Sequence, residues 1–513
     1  MERVSPIATA ENESIWGATA ELPKSRRLTT DVECDVCIVG GGISGLTTAF
    51  LLAKAGKRVV VLDDGPLASG MTLVTTAHLS NVIDDRFVKM LRWHGDEKTR
   101  LAAQSHAAAI DFIEQTSGEL HIDCDFQRLD GYLFSAGEQG EVDLDEELEA
   151  SRRAGVAVEA VGRAPSVEVD TGGCLRFPQQ ARFHPFKYLD GLVKAFKRAG
   201  GKVFTNSHVD KIVSGEVVRV EVGEHVVSTM AVVVATNSPI NDMVALHTKQ
   251  APYMTYVIGA RVPRGSVEDA LYWDTLDAYH YVRLQPLDQE SDLLIIGGED
   301  HKSGQADDAD ERHQRLLQWT RERFPVGEVE FTWGGQCMET IDGLAFIGRN
   351  PLDRDNVYVV TGDSGMGMTH GTIAGMLLTD MILGRENPWE QLYDPSRKTV
   401  AAARPFLKEN VNVVGQYLDW LTPGEVKSVD EIAPGTGAII RRGMTKIAAC
   451  RDDDGHLTEL SAVCPHLGCV VHWNNAERSW DCPCHGSRFH ADGEVVNGPA
   501  NVNLSPTEPS DDD

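Results

Sequence analysis

Val36-Cys37-Ile38-Val39-Gly40-Gly41-Gly42-Ile43-Ser44-Gly45 sets an apolar run directly against glycines at 40, 42 and 45. Residues 35–39 read as a short buried strand. Residues 43–55, with Ile43, Leu46, Phe50 and Ala53 on one side, read as a helix, and 58–62 as the next strand. In such a βαβ unit Gly40 permits the tight turn, Gly42 lets a pyrophosphate approach the backbone, and Gly45 allows close helix–strand packing. The helix start at Ile43 and Ser44 offers unpaired amides and a positive dipole end to phosphates. The second strand ends in Val61-Leu62-Asp63, so a carboxylate stands 18 residues past Gly45, where it can accept from ribose hydroxyls. A Gly-rich turn that binds nothing is the bland alternative, and this strand–helix–strand–acid context argues against it. The motif alone does not choose between FAD and NAD, although the acid would repel a 2′-phosphate.

At the other end of the chain stand two boxes, Cys464-Pro465-His466-Leu467-Gly468-Cys469 and Cys482-Pro483-Cys484-His485-Gly486-Ser487. A [2Fe–2S] cluster with two thiolates on one iron and two imidazoles on the other takes one Cys and one His from each box. The C-x-H and C-x-x-H spacings supply Cys464, His466, Cys482 and His485. Two Cys and two His also suit a tetrahedral zinc ion, the obvious alternative.

The bulk properties limit the remaining classes. With 513 residues the chain is too long for one ordinary domain, and its 42% hydrophobic and 24% charged content is that of a globular protein. Lys plus Arg is 48 against 77 Asp plus Glu, a formal net charge of -29, which disfavours nucleic acid and anionic lipid as partners. The acidic excess serves solubility by default, or attracts a basic partner or a cationic amine. The longest apolar run, 36–55, is interrupted by four glycines, so no membrane span is expected. The N-terminus lacks a basic region followed by an apolar core, and a cytoplasmic location is expected.

Residues 1–32 read as a polar arm, 33–390 as the nucleotide-binding body, and 391–427 as a Pro-punctuated linker. Residues 428–506 read as a small all-β domain with Gly/Asn/Asp turns, and 507–513 as an acidic tail. Between 85 and 155 a helical pattern gives way to an acidic, loop-rich, exposed stretch at 138–149, and 200–300 is strand-rich.

Beyond the glycine motif, the body resembles the D-amino-acid oxidase and glycine oxidase superfamily of flavoproteins over about residues 33–390. Ala68-Ser69-Gly70-Met71-Thr72 and Thr75-Thr76-Ala77-His78 are similar to the segment that runs along the flavin. Val209 opens a strand-like stretch suited to adenine. Val232 to Asn237, with Thr236, is similar to the strand that returns to the nucleotide. Thr340-Ile341-Asp342-Gly343-Leu344-Ala345-Phe346-Ile347-Gly348 resembles the late T-x-D-G-x-P-x-I-G element. Thr361-Gly362-Asp363-Ser364-Gly365-Met366-Gly367-Met368-Thr369 resembles the Gly-rich turn whose helix start faces the flavin. The resemblance implies FAD and an α/β (α+β) body, a Rossmann-type site joined to a mixed-sheet substrate domain.

The chain departs from that family where an arginine usually clamps the substrate carboxylate, for Gln336-Cys337-Met338 stands there. Arg283, in Tyr279-His280-Tyr281-Val282-Arg283, is the alternative clamp, with pairing to an acidic neighbour as its structural reading. His280 and Tyr281 are the candidates for assisting proton removal. His370 follows the Gly-rich turn and either reaches the flavin edge or caps a helix. His78 stands in a region where some relatives attach FAD covalently, a plain hydrogen-bonding role being the ordinary reading.

The boxes, with Gly498-Pro499-Ala500, resemble the Rieske family. That resemblance implies a disulfide between Cys469 and Cys484, shielded by the fold or else reduced in the cell, and a Ser487 hydroxyl bonded to a cluster sulfur. Phe489 stands where high-potential members carry a tyrosine, which implies a lower reduction potential. Together the two cofactors imply an oxidoreductase that acts on a C–N bond of a small amine or amino acid. Electrons would pass from FAD to the cluster and then to an external acceptor protein. A reductase running the other way from a donor protein, an oxidase with an accessory cluster, and a redox sensor are the rival readings.

Overall fold

The computed structural model describes residues 14–507 apart from 136–142, 170, 172, 242–245, 278 and 307. The acidic tail from 508 and residues 1–13 of the polar arm therefore lie outside the described residues.

The first sheet is built on the strand Val32–Val39, which begins three residues earlier than the apolar run alone indicates. It pairs in parallel with Val59–Leu62 on one side and with His225–Val234 on the other. Lys202–Phe204 and Val357–Thr361 extend the parallel core, and Phe346–Arg349 closes one edge antiparallel. Val36, Ile38, Val59 and Val61 are all at most 2% exposed. Such near-continuous apolar strands are what a parallel sheet covered on both faces requires. The helix Ile43–Lys54 packs against Gly367–Leu383, and glycine makes the close approach possible: a Cβ on Gly375 would sit 2.3 Å from Thr47 Cγ2.

The second sheet has nine strands and is mostly antiparallel. Gln250–Pro263, Ser291–Lys302 and Val329–Thr340 form its long, curved wall. Two small antiparallel sheets, of three and four strands, make up the C-terminal part. Among the described residues no helix is long and apolar enough to cross a membrane.

Three local expectations are corrected. The stretch 85–155 contains the strand Gln127–Phe134 after the helix Arg86–Leu120, and residues from Leu144 to Arg153 form a helix rather than a loop. Within it Glu147 is fully buried and accepts the amides of Phe87 and Val88 at 2.8 and 3.1 Å, capping the start of the long helix. The described end of the arm is not solvated: Trp16 is fully buried and its Nε1 donates to Thr75 O. Val209 lies in a loop, because the strand begins at Lys211.

Candidate functional site

One cavity of about 1360 Å³ runs from the glycine loop to the curved wall of the second sheet. Gly40, with φ +103°, tolerates no side chain, since a Cβ there would lie 2.3 Å from Ala235 O. At Gly45 a Cβ would lie 1.9 Å from Gly40 O, so this glycine seats the helix and does not itself line the cavity. Asp63 accepts Gly41 N at 2.6 Å and Gly65 N at 3.0 Å. Each of its oxygens keeps a second lone pair for a hydroxyl. Thr72 Oγ1 accepts Ile43 N at 3.2 Å, tying the flavin-side segment to the helix start. Gly42, Ser44, Ser69, Thr75, Thr76, His78, Val209, Thr236, Gly365 and Gly367 also line the cavity, whereas Gly362 and Thr369 stand behind it. Thr369 Oγ1 is instead paired with His106 Nδ1 at 2.7 Å. A long cleft with a side-chain-free phosphate turn at one end suits the FAD that the sequence implies.

At the far end Tyr279 and Tyr281 face the cavity with Asp84, Asp300, Cys337 and Glu339. Tyr281 Oη lies 2.6 Å from Thr255 Oγ1. Burial pushes Asp84 up to about 6 and Asp300 up to about 7, and it raises Glu339 well above the usual carboxylate range, with Asp85 and Asp84 adding to the effect. Asp300 Oδ1 is buried without a hydrogen-bond partner among the described residues. Arg86, at φ +66°, stacks its guanidinium over Tyr279 at 4.9 Å and brings a cation to the same wall.

The structure does not bring all the candidate residues to this wall. Arg283 is fully buried outside the cavity and donates to the carbonyls of Ala77 (2.7 Å), Phe183 (3.1 Å) and Thr76 (3.3 Å). It braces the flavin-side segment, and its partners are carbonyls rather than an acidic neighbour. His280, the residue before the strand Tyr281–Pro286, turns away from the cavity that Tyr279 and Tyr281 line. His280 Nδ1 sits 2.9 Å from Asp274, and the ring stacks on Trp319 at 4.2 Å. Burial opposes its protonation, but the bond to Asp274 and the Glu299 carboxylate 3.5 Å from Nε2 outweigh that and raise its pKa. His370 is buried in its helix with Nδ1 2.8 Å from Asp363 O, and it too lies outside the cavity. Arg86, Asp300 and Glu339 carry no local motif; only the fold collects them.

In the C-terminal domain the two boxes meet. The Cys464 and Cys482 thiols are hydrogen-bonded to each other, and the His466 and His485 rings lie 5.1 Å apart. Cys482, the backbone amides of His466 and Leu467, and Ser487 all hydrogen-bond the Cys464 sulfur and lower its pKa against burial. Cys469 and Cys484 form a disulfide, each 1% exposed and so shielded by the fold. Among the described residues the only donor group gathered within 4.8 Å is Cys469, Cys482 and Cys484, two of which share that disulfide. Cys464 lies against Cys482 and His466 against His485, the thiolate pair and imidazole pair that a dinuclear cluster divides between its two irons.

This domain is seated on the body. His247, just before the strand Gln250–Pro263, is 2% exposed, with its ring 4.9 Å from His466 and 5.8 Å from His485. Gln336 Nε2 donates to Gly486 O at 3.0 Å and to Ser303 Oγ at 3.1 Å, while Gln336 Oε1 accepts Asn497 Nδ2 at 2.5 Å. The residue at the usual clamp position thus joins the two domains. From the connecting segment, Tyr417 Oη and Trp420 Nε1 donate to the carbonyls of Leu467 and Gly468. Nothing in the sequence around His247 marks it.

Comparison with known proteins agrees with both halves. Residues 35–381 match the family model described as FAD dependent oxidoreductase, and residues 422–508 match that of the Rieske [2Fe-2S] domain. YhfW of Bacillus subtilis, whose name describes a Rieske 2Fe-2S iron-sulfur protein, is 31% identical over 95% of this chain and 96% of its own length. Gamma-glutamylputrescine oxidoreductase of Escherichia coli is 27% identical over 70% of this chain and 85% of its own. In fold, the crystal structure of glycine oxidase from Geobacillus kaustophilus superposes with a TM-score of 0.60 at 19% identity, covering 72% of this chain and 99% of that one.

Proposed function

We propose a function for a chain that belongs to the FAD dependent oxidoreductase family and carries a Rieske [2Fe-2S] domain. It is an FAD-dependent enzyme with a [2Fe–2S] cluster, and in our reading it oxidises the C–N bond of a cationic amine, or of an amino acid bearing such an amine. The electrons pass from FAD to the cluster and on to an external acceptor.

The observation that carries the amine reading is the carboxyl-lined wall of Asp84, Asp300 and Glu339 beside Tyr279 and Tyr281. A buried carboxylate oxygen without a partner is costly, and an ammonium group supplies the missing charge and donors. The printed name of the E. coli relative, an oxidoreductase of gamma-glutamylputrescine, agrees with an amine. The packing of His247 against both cluster histidines supports electron transfer within the chain.

When bound, FAD accepts a hydride from carbon and releases electrons singly, and the cluster carries one electron at a time. The chain's own residues bind and prepare the substrate. Asp300, held near neutrality by burial, takes the proton from the ammonium so that the neutral amine is the reacting form. Arg86 offers guanidinium donors to a carboxylate elsewhere on the substrate. Gly40, Gly42 and the amide of Ser44 would hold the cofactor phosphates, the Ile43 amide being taken by Thr72. The imine product then hydrolyses to a carbonyl compound and an amine.

Anaerobic mixing with monoamines, diamines and amino acids tests this, with flavin bleaching followed by absorbance and the cluster by EPR. Bleaching by amines followed by a reduced-cluster signal is the expected result. Bleaching without cluster reduction refutes the electron route and leaves an oxidase, while no bleaching by any of these compounds refutes C–N oxidation.

A further inference from the structure

The cavity that holds the nucleotide is not closed by the body alone. Its wall passes from Asp63 and the loop 207–210 directly to Glu494, Val496, Asn497, Gly498 and Asn501 of the C-terminal domain. This second stretch is fixed at both ends. Asn497 is bonded to Gln336, and Asn501 Nδ2 donates to Val209 O at 2.9 Å. Between them the backbone lies on the body: a Cβ on Gly498 would meet Ser238 O at 3.6 Å and Ile240 Cγ2 at 3.8 Å.

We propose that the Rieske domain supplies part of the FAD-binding surface, its residues 494–501 closing the adenosine end of the cleft. The end is assigned by connectivity, because Asp63 at the tip of the second strand and the loop carrying Val209 flank the ribose and adenine side of a βαβ nucleotide site. The chemistry is suitable: an asparagine amide offers one acceptor and two donors, the complement of an adenine edge. Asn501 spends one donor on Val209 O, and its carbonyl oxygen takes no protein partner among the described residues.

Binding and docking are then linked. A ligand that contacts both domains favours the docked arrangement, and a loosened domain weakens the ligand by the same factor.

The test uses the full-length chain with its cluster, stripped of FAD and titrated with FAD by flavin fluorescence. Asn501→Ala removes one inter-domain hydrogen bond and one amide from the cleft wall, and it is expected to weaken FAD about tenfold. Iron content and the visible circular dichroism of the cluster show whether the Rieske domain of the variant is intact. In the unmodified protein, backbone amides of 494–501 are expected to exchange with deuterium more slowly once FAD is added. An unchanged dissociation constant in Asn501→Ala with an intact cluster overturns the proposal, as does exchange at 494–501 that FAD leaves unaltered.

Discussion

Gln336→Leu is the substitution that most directly tests how the two domains are held together. Gln336 is 5% exposed, and leucine occupies a similar volume while removing the amide. Two inter-domain partners then lose their hydrogen bonds in a buried setting, the Gly486 carbonyl and the Asn497 amide. Each orphaned buried group costs roughly 1–3 kcal/mol, so the docked arrangement loses about 4 kcal/mol. That is about a thousandfold in the docking equilibrium. The assay is urea unfolding followed by the visible circular dichroism of the cluster. With a slope of about 2 kcal/mol per molar urea, the midpoint for loss of the cluster falls by about 2 M. A midpoint in Gln336→Leu within about 0.3 M of the wild type, less than 1 kcal/mol at this slope, refutes the reasoning.

Three other outcomes are expected. Asp300 is held at about 7, so kcat/KM for an ammonium substrate should rise with pH as this carboxyl ionises. Asp300→Asn should lose about 10²–10⁴ of the rate together with that limb of the profile, and an identical pH profile in the variant would remove Asp300 as the base. Arg397 bonds both oxygens of buried Asp342 and holds its carboxyl well below the usual range despite a burial effect that acts the other way. Arg397→Ala should therefore cost about 3–5 kcal/mol in denaturant unfolding of the flavin-binding body. The folded pKa of Asp342 is depressed, so this stabilisation is fully present above its unfolded value of about 4 and fades as pH falls toward the folded one. A deficit in Arg397→Ala as large at pH 2 as at pH 6 would contradict this linkage. Phe489 is fully buried in the core around Cys464 and Cys482. Phe489→Tyr should raise the potential of the cluster by adding a hydrogen bond near sulfur, and potentiometric EPR titration showing no change would sink that account.

The nucleotide turn was legible because its chemistry is local. The glycines at 40, 42 and 45 answer to backbone geometry within a few residues, and Gly45 meets Gly40 O just as a close-packed turn requires. The cluster boxes were legible for the same reason, each delivering its ligands from one short loop. The helix Leu144–Arg153 was missed because its acidic sequence suits a solvated loop, and only the distant amides of Phe87 and Val88 give Glu147 a reason to be buried. Arg283 and His280 were placed at the substrate because their neighbours are aromatic. His280 turns away from the side that Tyr281 presents, whereas Arg283 shares that side and is covered there by Thr76, Ala77 and Phe183 from distant parts of the chain.

The sequence by itself therefore determined the kind of protein: two cofactor sites written in contiguous motifs, a Rossmann-type βαβ unit, and a separate small β domain. Tertiary structure alone decided the carboxyl-lined wall of the cavity and the junction between the domains. Asp84, Asp300 and Glu339 come from three separated segments, and His247 meets His466 and His485 across more than two hundred residues of chain. Contacts of that separation leave no periodicity or spacing in the sequence. They follow from how sheets curve and domains dock, through packing and buried hydrogen bonds that form only once the chain has folded.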